Sequence, residues 1–293
     1  MIEVVVVLSL LVATALVYAA YSFLFSLFGS LIRLFWRRPG DSLKVRIGNV
    51  VRYGLCSCLL FGVFVALLWP APCVSRGAAQ RNLCWRNLTQ IAAAMELYRS
   101  KHGHFPPAYS VDKDGRPLHS WRVLLLPYLE QEELYDELRL DEPWDSPHNQ
   151  AVFEAKQMPS IFACPIEVKE RRNDNVKETS YVMVVGAGTL SDGPNAVRLE
   201  DISDGPSNTV AVVEMTGSGI HWAEPRDLDT DTMSYGINDP DRPCIRGPHG
   251  AGALVVLCDG KEEYLTNSTA PETVKAVTTI AGGEDVREFF ENY

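Results

Sequence analysis

His249 and Asp259 are the pair of side chains most suited to catalysis, because histidine and aspartate can transfer a proton between them. Nine residues separate the two, and the apolar run 253–257 between them predicts a β-strand. A fully extended segment of that length spans about 30 Å, which argues against a direct catalytic pair. We therefore predict structural roles: His249 bonds to backbone or to a carboxylate such as Glu214, and Asp259 with Gly260 forms a tight hairpin turn.

Three aspartates alternate along the chain at Asp227, Asp229 and Asp231, the spacing of carboxylates in calcium loops. Thr232 occupies the position of the sharp-turn glycine in a helix-loop-helix site, and Asn238 stands where a bidentate glutamate closes such a loop. The pattern therefore leaves two readings open, a solvated acidic loop or a looser calcium site. The looser site would use some of Asp227, Asp229, Asp231, Asp239 and Asp241. We therefore expect no cofactor, unless the second of these readings applies and the loop binds calcium.

Other motifs are weaker. Cys244, His249 and Cys258 have metal-binding chemistry, but they contain no Cys-x-x-Cys pair, so a disulfide or buried thiols explain them more simply than zinc, and the sequence identifies no metal. The glycines at 186–188 lack the third glycine of a dinucleotide loop, and residues 216–219 lack the first glycine of a nucleophile elbow.

Four cysteines lie beyond residue 75, either as disulfides or as buried thiols with no pairing evident: Cys84, Cys164, Cys244 and Cys258.

Charge is distributed unevenly over the 293 residues. Residues 1–75 carry six basic and two acidic side chains, a net charge of +4, so the remaining 218 carry −14 of the total of −10. An acidic globular region of this kind repels phosphates, and we expect no nucleic-acid partner.

Two long runs without charged residues, 4–32 and 53–75, predict transmembrane helices, although the first could also be a signal peptide. The basic residues between the runs favour a cytoplasmic loop. We expect a first transmembrane helix at 1–36, a basic cytoplasmic loop at 37–52, a second helix at 53–75 and a domain at 76–293. The chain would then lie in the bacterial cytoplasmic membrane, with both termini and the main domain extracytoplasmic.

The predicted domain begins with an amphipathic helix. Its apolar stripe has helical spacing and consists of Cys84, Leu88, Ile91, Met95 and Tyr98. Runs typical of β-strands follow at 181–185, 209–213, 253–257 and 263–265. Helices first and strands afterwards indicate an α+β fold, with the long N-terminal helix packed on an antiparallel sheet.

Many short segments resemble one known family. They are, in chain order, Leu67–Ala71, Asn87–Ile91, Phe105–Pro107, Ser120–Gln131, Pro143–Asp145, Phe162–Pro165, Thr179–Tyr181, Ile202–Thr209, Trp222–Leu228, and His249 followed nine residues later by Asp259-Gly260. Together they resemble the bacterial prepilin-type family named for its His-x9-Asp-Gly motif, also called domain of unknown function 1559. The extra N-terminal hydrophobic run departs from that family's pattern.

The resemblance implies a pseudopilin-like protein without established enzymatic activity. The sequence therefore predicts a membrane-anchored, non-enzymatic envelope protein with a structural or assembly role. Its expected partners are the cytoplasmic membrane and other envelope proteins or pilin-like subunits. The alternatives are an extracytoplasmic module that binds a ligand or calcium and an unrecognised envelope enzyme.

Overall fold

The computed structural model describes residues 29, 51, 52, 55, 74–171, 177–248, 250–284 and 286. The chain divides into two compact units, Met1–Pro72 and Cys73–Tyr293. The secondary-structure elements given below all belong to the second unit.

Helix α1, Val74–His102, contains the predicted apolar stripe. Cys84, Leu88, Ile91 and Met95 are at most 1% exposed, because their spacing places all of them on the face that packs into the core. Gly103 ends the helix with φ of 81°, and its N–H donates to the carbonyl of Arg99 at 2.7 Å. This is a common way of capping a C-terminus, since glycine adopts positive φ without steric cost.

The main sheet has four antiparallel strands, which pair in the same order as they occur along the chain. Their bounds are Tyr181–Val182 for β3, Val210–Glu214 for β5, Gly252–Leu257 for β7 and Glu262–Thr266 for β8. The predicted α+β class with an antiparallel sheet is therefore confirmed. Strands β5 and β7 are buried along their whole length, so both faces of the sheet are covered.

Alternate residues of β7 point into two separate cores. Leu254 and Val256 belong to the core that contains the buried stripe of α1. Val255 and Leu257 belong to a second core that contains Val274 from the C-terminal helix. The sheet is therefore the middle layer of the domain, as the two-residue period of a strand requires.

The remaining elements are short. The strands are β1 Tyr109–Val111, β2 Pro117–Ser120, β4 Val184–Val185 and β6 Leu228–Asp229. The helices are α2 Trp121–Leu124, α3 Glu132–Glu137, α4 Pro147–Ala155, α5 Pro165–Arg171 and α6 Pro271–Thr278. Single 3₁₀ turns occur at Leu126–Tyr128, Ser160–Phe162 and Leu199–Asp201. Strands β1 and β2 form an antiparallel pair, whereas β4 and β6 pair in parallel.

The run 181–185, predicted as one strand, forms two. Strand β3 pairs with β5 of the main sheet, whereas β4 pairs with β6. The change of partner occurs at Met183, whose N–H donates to Asp227 Oδ1 at 3.0 Å and whose carbonyl accepts from the N–H of Leu228 at 3.1 Å. These two bonds turn the backbone from one partner strand to the next.

The fold expected from the sequence includes two transmembrane helices. This expectation is wrong for the residues that the structure describes. Within those residues no helix combines the length and the apolar character needed to cross a membrane. Helix α1 is long enough with 29 residues, but it carries charged side chains such as Arg81, Arg86 and Glu96, and charge is costly in hydrocarbon. Most of 1–36, 37–52 and 53–75 lies outside the described residues.

We predict that Leu88→Ala or Ile91→Ala lowers the free energy of unfolding by about 2–5 kcal/mol, because each change leaves a cavity in a packed core. Leu97→Ala is the matched control, since Leu97 is 55% exposed on the same helix, and its effect should be within about 0.5 kcal/mol. Urea unfolding measures all three variants. If Leu88→Ala and Ile91→Ala were as stable as the wild type, the stripe would not be part of a packed core.

Candidate functional site

A buried cluster joins Cys84 of α1, Cys164 just before α5 and Glu214 at the end of β5. One ligand atom from each residue lies within 4.8 Å of the others. Among the described residues, this is the group of His, Cys, Asp or Glu side chains that lie close enough together to hold a metal ion. The two Sγ atoms are 2.9 Å apart, and all three side chains are fully buried. The cluster thus links α1, the loop before α5 and the sheet.

Hydrogen bonds fix the surroundings of the cluster. Asn87 donates to the carbonyl of Ala163 at 3.1 Å, which ties α1 to the loop that carries Cys164. The N–H of Cys164 donates to Ser180 Oγ at 2.7 Å. Glu214 Oε2 accepts from the N–H of Leu254 on the neighbouring strand at 2.8 Å. The positions of both sulfur atoms and the carboxylate are therefore set by backbone as well as by side chains.

The cluster disfavours thiolate. The hydrogen bond with Cys164 and then burial raise the pKa of Cys84 far above its ordinary value, and the charge of Glu214 acts in the same direction. Burial also raises the pKa of the neighbouring Tyr181. Since the thiolate and not the thiol is the nucleophile, the raised pKa disfavours nucleophilic attack by Cys84 in the folded domain.

A second buried polar group consists of Arg122 and Asp227. Arg122 Nη2 lies 2.5 Å from Asp227 Oδ1, with side-chain exposures of 0% and 1%. The same carboxylate oxygen accepts from the indole N–H of Trp121 at 3.1 Å, and Arg122 Nε donates to the carbonyl of Tyr181 at 3.0 Å. Burial raises the pKa of Asp227 and lowers that of Arg122, while their mutual attraction opposes both shifts.

The predicted calcium residues have different environments. Asp227 is buried and bound to Arg122, whereas Asp229 and Asp231 are exposed. The N–H of Asp231 donates to Asp229 Oδ1 at 2.7 Å, which is a turn contact within the loop. Asp227 therefore contributes to the core, and calcium binding by the loop stays a prediction.

Of the predicted motif residues, Asp259 and Gly260 lie at the tip of the β7–β8 hairpin. Gly260 has φ of 86°, and Asp259 Oδ1 accepts from the N–H of Lys261 at 2.9 Å. Both residues are exposed. His249 lies outside the described residues, so its predicted contact with backbone or Glu214 stays a prediction.

Sequence reasoning missed the ion pair and left the cysteine pairing open. Arg122 itself was a signal for the ion pair. It is a charged residue that lies between Trp121 and the apolar run 123–126, in a helix whose N-cap is Ser120. A charge at such a position is buried, and a buried charge requires a counter-ion. No local pattern identifies that counter-ion 105 residues away.

The fold and the site together define an α+β domain in which one long helix packs on an antiparallel sheet and is joined by buried polar contacts to the loop before α5. Residues 75–234 match the model of the family described as "Protein of unknown function (DUF1559)". The chain belongs to this family, as the resemblance of its short segments predicted. No curated protein and no solved structure matches the chain.

We predict that Asp227→Asn lowers the free energy of unfolding by about 3–5 kcal/mol, because Arg122 is then left as a buried charge without its partner. Asp231→Asn is the control, since that residue is exposed in the same loop. The double variant Arg122→Met/Asp227→Leu should recover much of the loss, since it removes both charges. Equal urea midpoints for Asp227→Asn and Asp231→Asn would contradict the role given to the ion pair.

The lowered pKa of His221 predicts that the stability of the domain depends on pH. The ring of His221 packs beside Trp144 and Phe153, with centroids 5.0 Å and 5.4 Å away. Burial, together with the charge of Lys177, lowers the pKa of His221 to about 4. Because this pKa is lower in the folded than in the unfolded chain, the unfolded state binds more protons between about pH 6.5 and 4. Stability due to His221 is therefore present above pH 6.5 and is lost as the pH falls.

We expect the wild type to lose about 1–2 kcal/mol more than His221→Gln between pH 6.5 and 4, a discounted value because His221 is partly exposed. Chemical unfolding at both pH values measures the difference. Parallel pH curves for the two proteins would show that protonation of His221 is not coupled to unfolding.

Proposed function

We propose that this chain is a pseudopilin-like structural protein, without enzymatic activity, that acts through protein–protein contacts with pilin-like subunits or other envelope proteins. The observation that carries the proposal is the two-sided character of α1. One side of the helix is buried against the sheet, while Leu83 and Leu97 on the outer side are 43% and 55% exposed. A long helix with apolar side chains left at its surface is suited to packing against another subunit.

A groove beside Leu97 provides the contact surface. It has a volume of about 360 Å³ and lies between α1, the segment 128–131 and the segment 159–161. Apolar lining residues include Ala93, Leu97 and Ile161, and the polar ones include Gln90 and Glu130. Apolar side chains interleaved with polar ones are common at the surfaces of proteins that bind other proteins. We name this surface the α1 groove.

The use of the buried polar groups supports a structural role over catalysis. The side chains of Cys84, Cys164 and Glu214 are fully buried, so no substrate reaches them in the folded domain. Arg122 and Asp227 are buried as well and bind each other. General acid–base or nucleophilic chemistry requires groups that contact a substrate. These groups are suited to holding the domain together.

The alternative of a calcium-binding module has less support. Asp227 is occupied by Arg122, which leaves Asp229 and Asp231 as the exposed members of the alternating trio. Calcium takes six to eight oxygen ligands, and these two carboxylates supply only part of that set. Of the two further aspartates of the looser site, Asp239 accepts a hydrogen bond at Oδ1 from the N–H of Asp241 at 2.9 Å, which is a contact within its own loop.

Site-specific photo-cross-linking in cells tests the proposal. A benzophenone amino acid replaces Leu97 in the α1 groove, and the matched control places it at Leu199, which is 37% exposed in the 3₁₀ turn Leu199–Asp201. We expect discrete protein adducts from position 97, with the partner identified by mass spectrometry as a pilin-like subunit, another envelope protein or a second copy. The adducts should be absent or much weaker from position 199.

A second variant tests whether the contact depends on the groove. With the cross-linker at Ala93, Leu97→Lys should reduce adduct formation at least several-fold, because it places a charge at an apolar contact. Leu199→Lys should leave the yield unchanged. Adducts that are equal at positions 97 and 199, or insensitive to Leu97→Lys, would contradict the proposal.

A further inference from the structure

Cys84 and Cys164 are far apart in sequence and close in space. They are 80 positions apart in the chain, yet their Sγ atoms are 2.9 Å apart. Two thiolates on a tetrahedral zinc ion, each with a Zn–S distance of about 2.3 Å, lie roughly 3.8 Å from one another. A disulfide bond is about 2.0 Å long. The observed separation is shorter than the metal geometry allows and longer than the bond by less than 1 Å.

We propose that Cys84 and Cys164 form a disulfide bond that fastens α1 to the loop before α5. The oxidant is a small-molecule or protein disulfide. The thiolate of one cysteine attacks it, forms a mixed disulfide and releases one thiol. The thiolate of the second cysteine then attacks the mixed disulfide and releases the second thiol. The two cysteines lose two electrons and two protons, and the oxidant is reduced to two thiols.

The surroundings of the pair determine when this reaction occurs. Both side chains are 0% exposed, so an oxidant cannot reach them once the domain has closed. The nearby carboxylate of Glu214 and the lack of solvent also disfavour the thiolate that exchange requires. The bond therefore forms while the chain is folding or transiently open. Once formed, it is protected from reductants by the same burial.

The other two described cysteines provide matched controls. Cys244 and Cys258 are also buried free thiols. Cys244 has Asp239 O at 3.5 Å as its sulfur hydrogen-bond partner. The contact between two sulfur atoms is thus specific to Cys84 and Cys164 among the residues that the structure describes.

Peptide mapping of the full-length chain tests the inference, and it does not depend on the proposed function. The protein is incubated with a mixture of oxidised and reduced glutathione, in enough urea to open the domain transiently, and returned to buffer. Free thiols are then alkylated under denaturing conditions and the chain is digested with trypsin. Cleavage at Arg81, Arg86, Lys156 and Lys169 gives peptides 82–86 and 157–169. We expect these two peptides to be recovered as one species linked by a disulfide.

Three comparisons make the outcome decisive. The linked species should disappear on reduction and in Cys84→Ser or Cys164→Ser, and persist in Cys244→Ser and Cys258→Ser. Reduction in the same urea concentration, followed by return to buffer, should also lower the Tm of the wild type by roughly 5–15 °C, because the long loop between the two cysteines is released, and leave that of Cys164→Ser unchanged. Full alkylation of Cys84 and Cys164 in the oxidised sample would overturn the inference. The inference would also be overturned if the wild type retained one equivalent of zinc and the variants Cys84→Ser and Cys164→Ser lost it.

Discussion

The Arg122–Asp227 ion pair is the interaction on which the arrangement of the domain depends. Through Arg122 it reaches the carbonyl of Tyr181 in β3, and through Asp227 it reaches the N–H of Met183, where β3 gives way to β4. It therefore holds the start of α2, the branch point between two sheets and the start of β6 in one place. A buried charge pair adds little to stability by itself, but it penalises every arrangement in which the charges are separated.

The second buried contact, between Cys84 and Cys164, acts on a different part of the fold. It connects the long helix to the loop before α5, next to the point where Glu214 ends the central strand β5. Helix α1 is thus attached to the rest of the domain by apolar packing, by the bonds of Asn87 and by the sulfur contact. Such an attachment fixes which side of the helix faces the sheet. It also leaves Leu83 and Leu97 on the opposite side.

The elements that sequence predicted well are those with local signals. The stripe that includes Leu88 and Ile91 has helical periodicity, and Asp259-Gly260 between two β-type runs is a local turn signal. The contacts that were missed join residues about a hundred positions apart, and no periodic pattern records which of several cysteines or aspartates meets a given partner. The run 181–185 was predicted as one strand because its apolar character is continuous, while the change of sheet at Met183 is imposed by Asp227. The long runs without charged residues also favoured membrane helices, but no described helix is long and apolar enough to cross a membrane.

The edges of the four-stranded sheet limit how copies of this protein can associate. One edge strand, β3, has only two residues, and the other, β8, begins with Glu262 and Glu263. Very short or charged edges are poor templates for a strand from another molecule. Growth of the sheet from chain to chain, the route to cross-β aggregates, is therefore disfavoured at both sides.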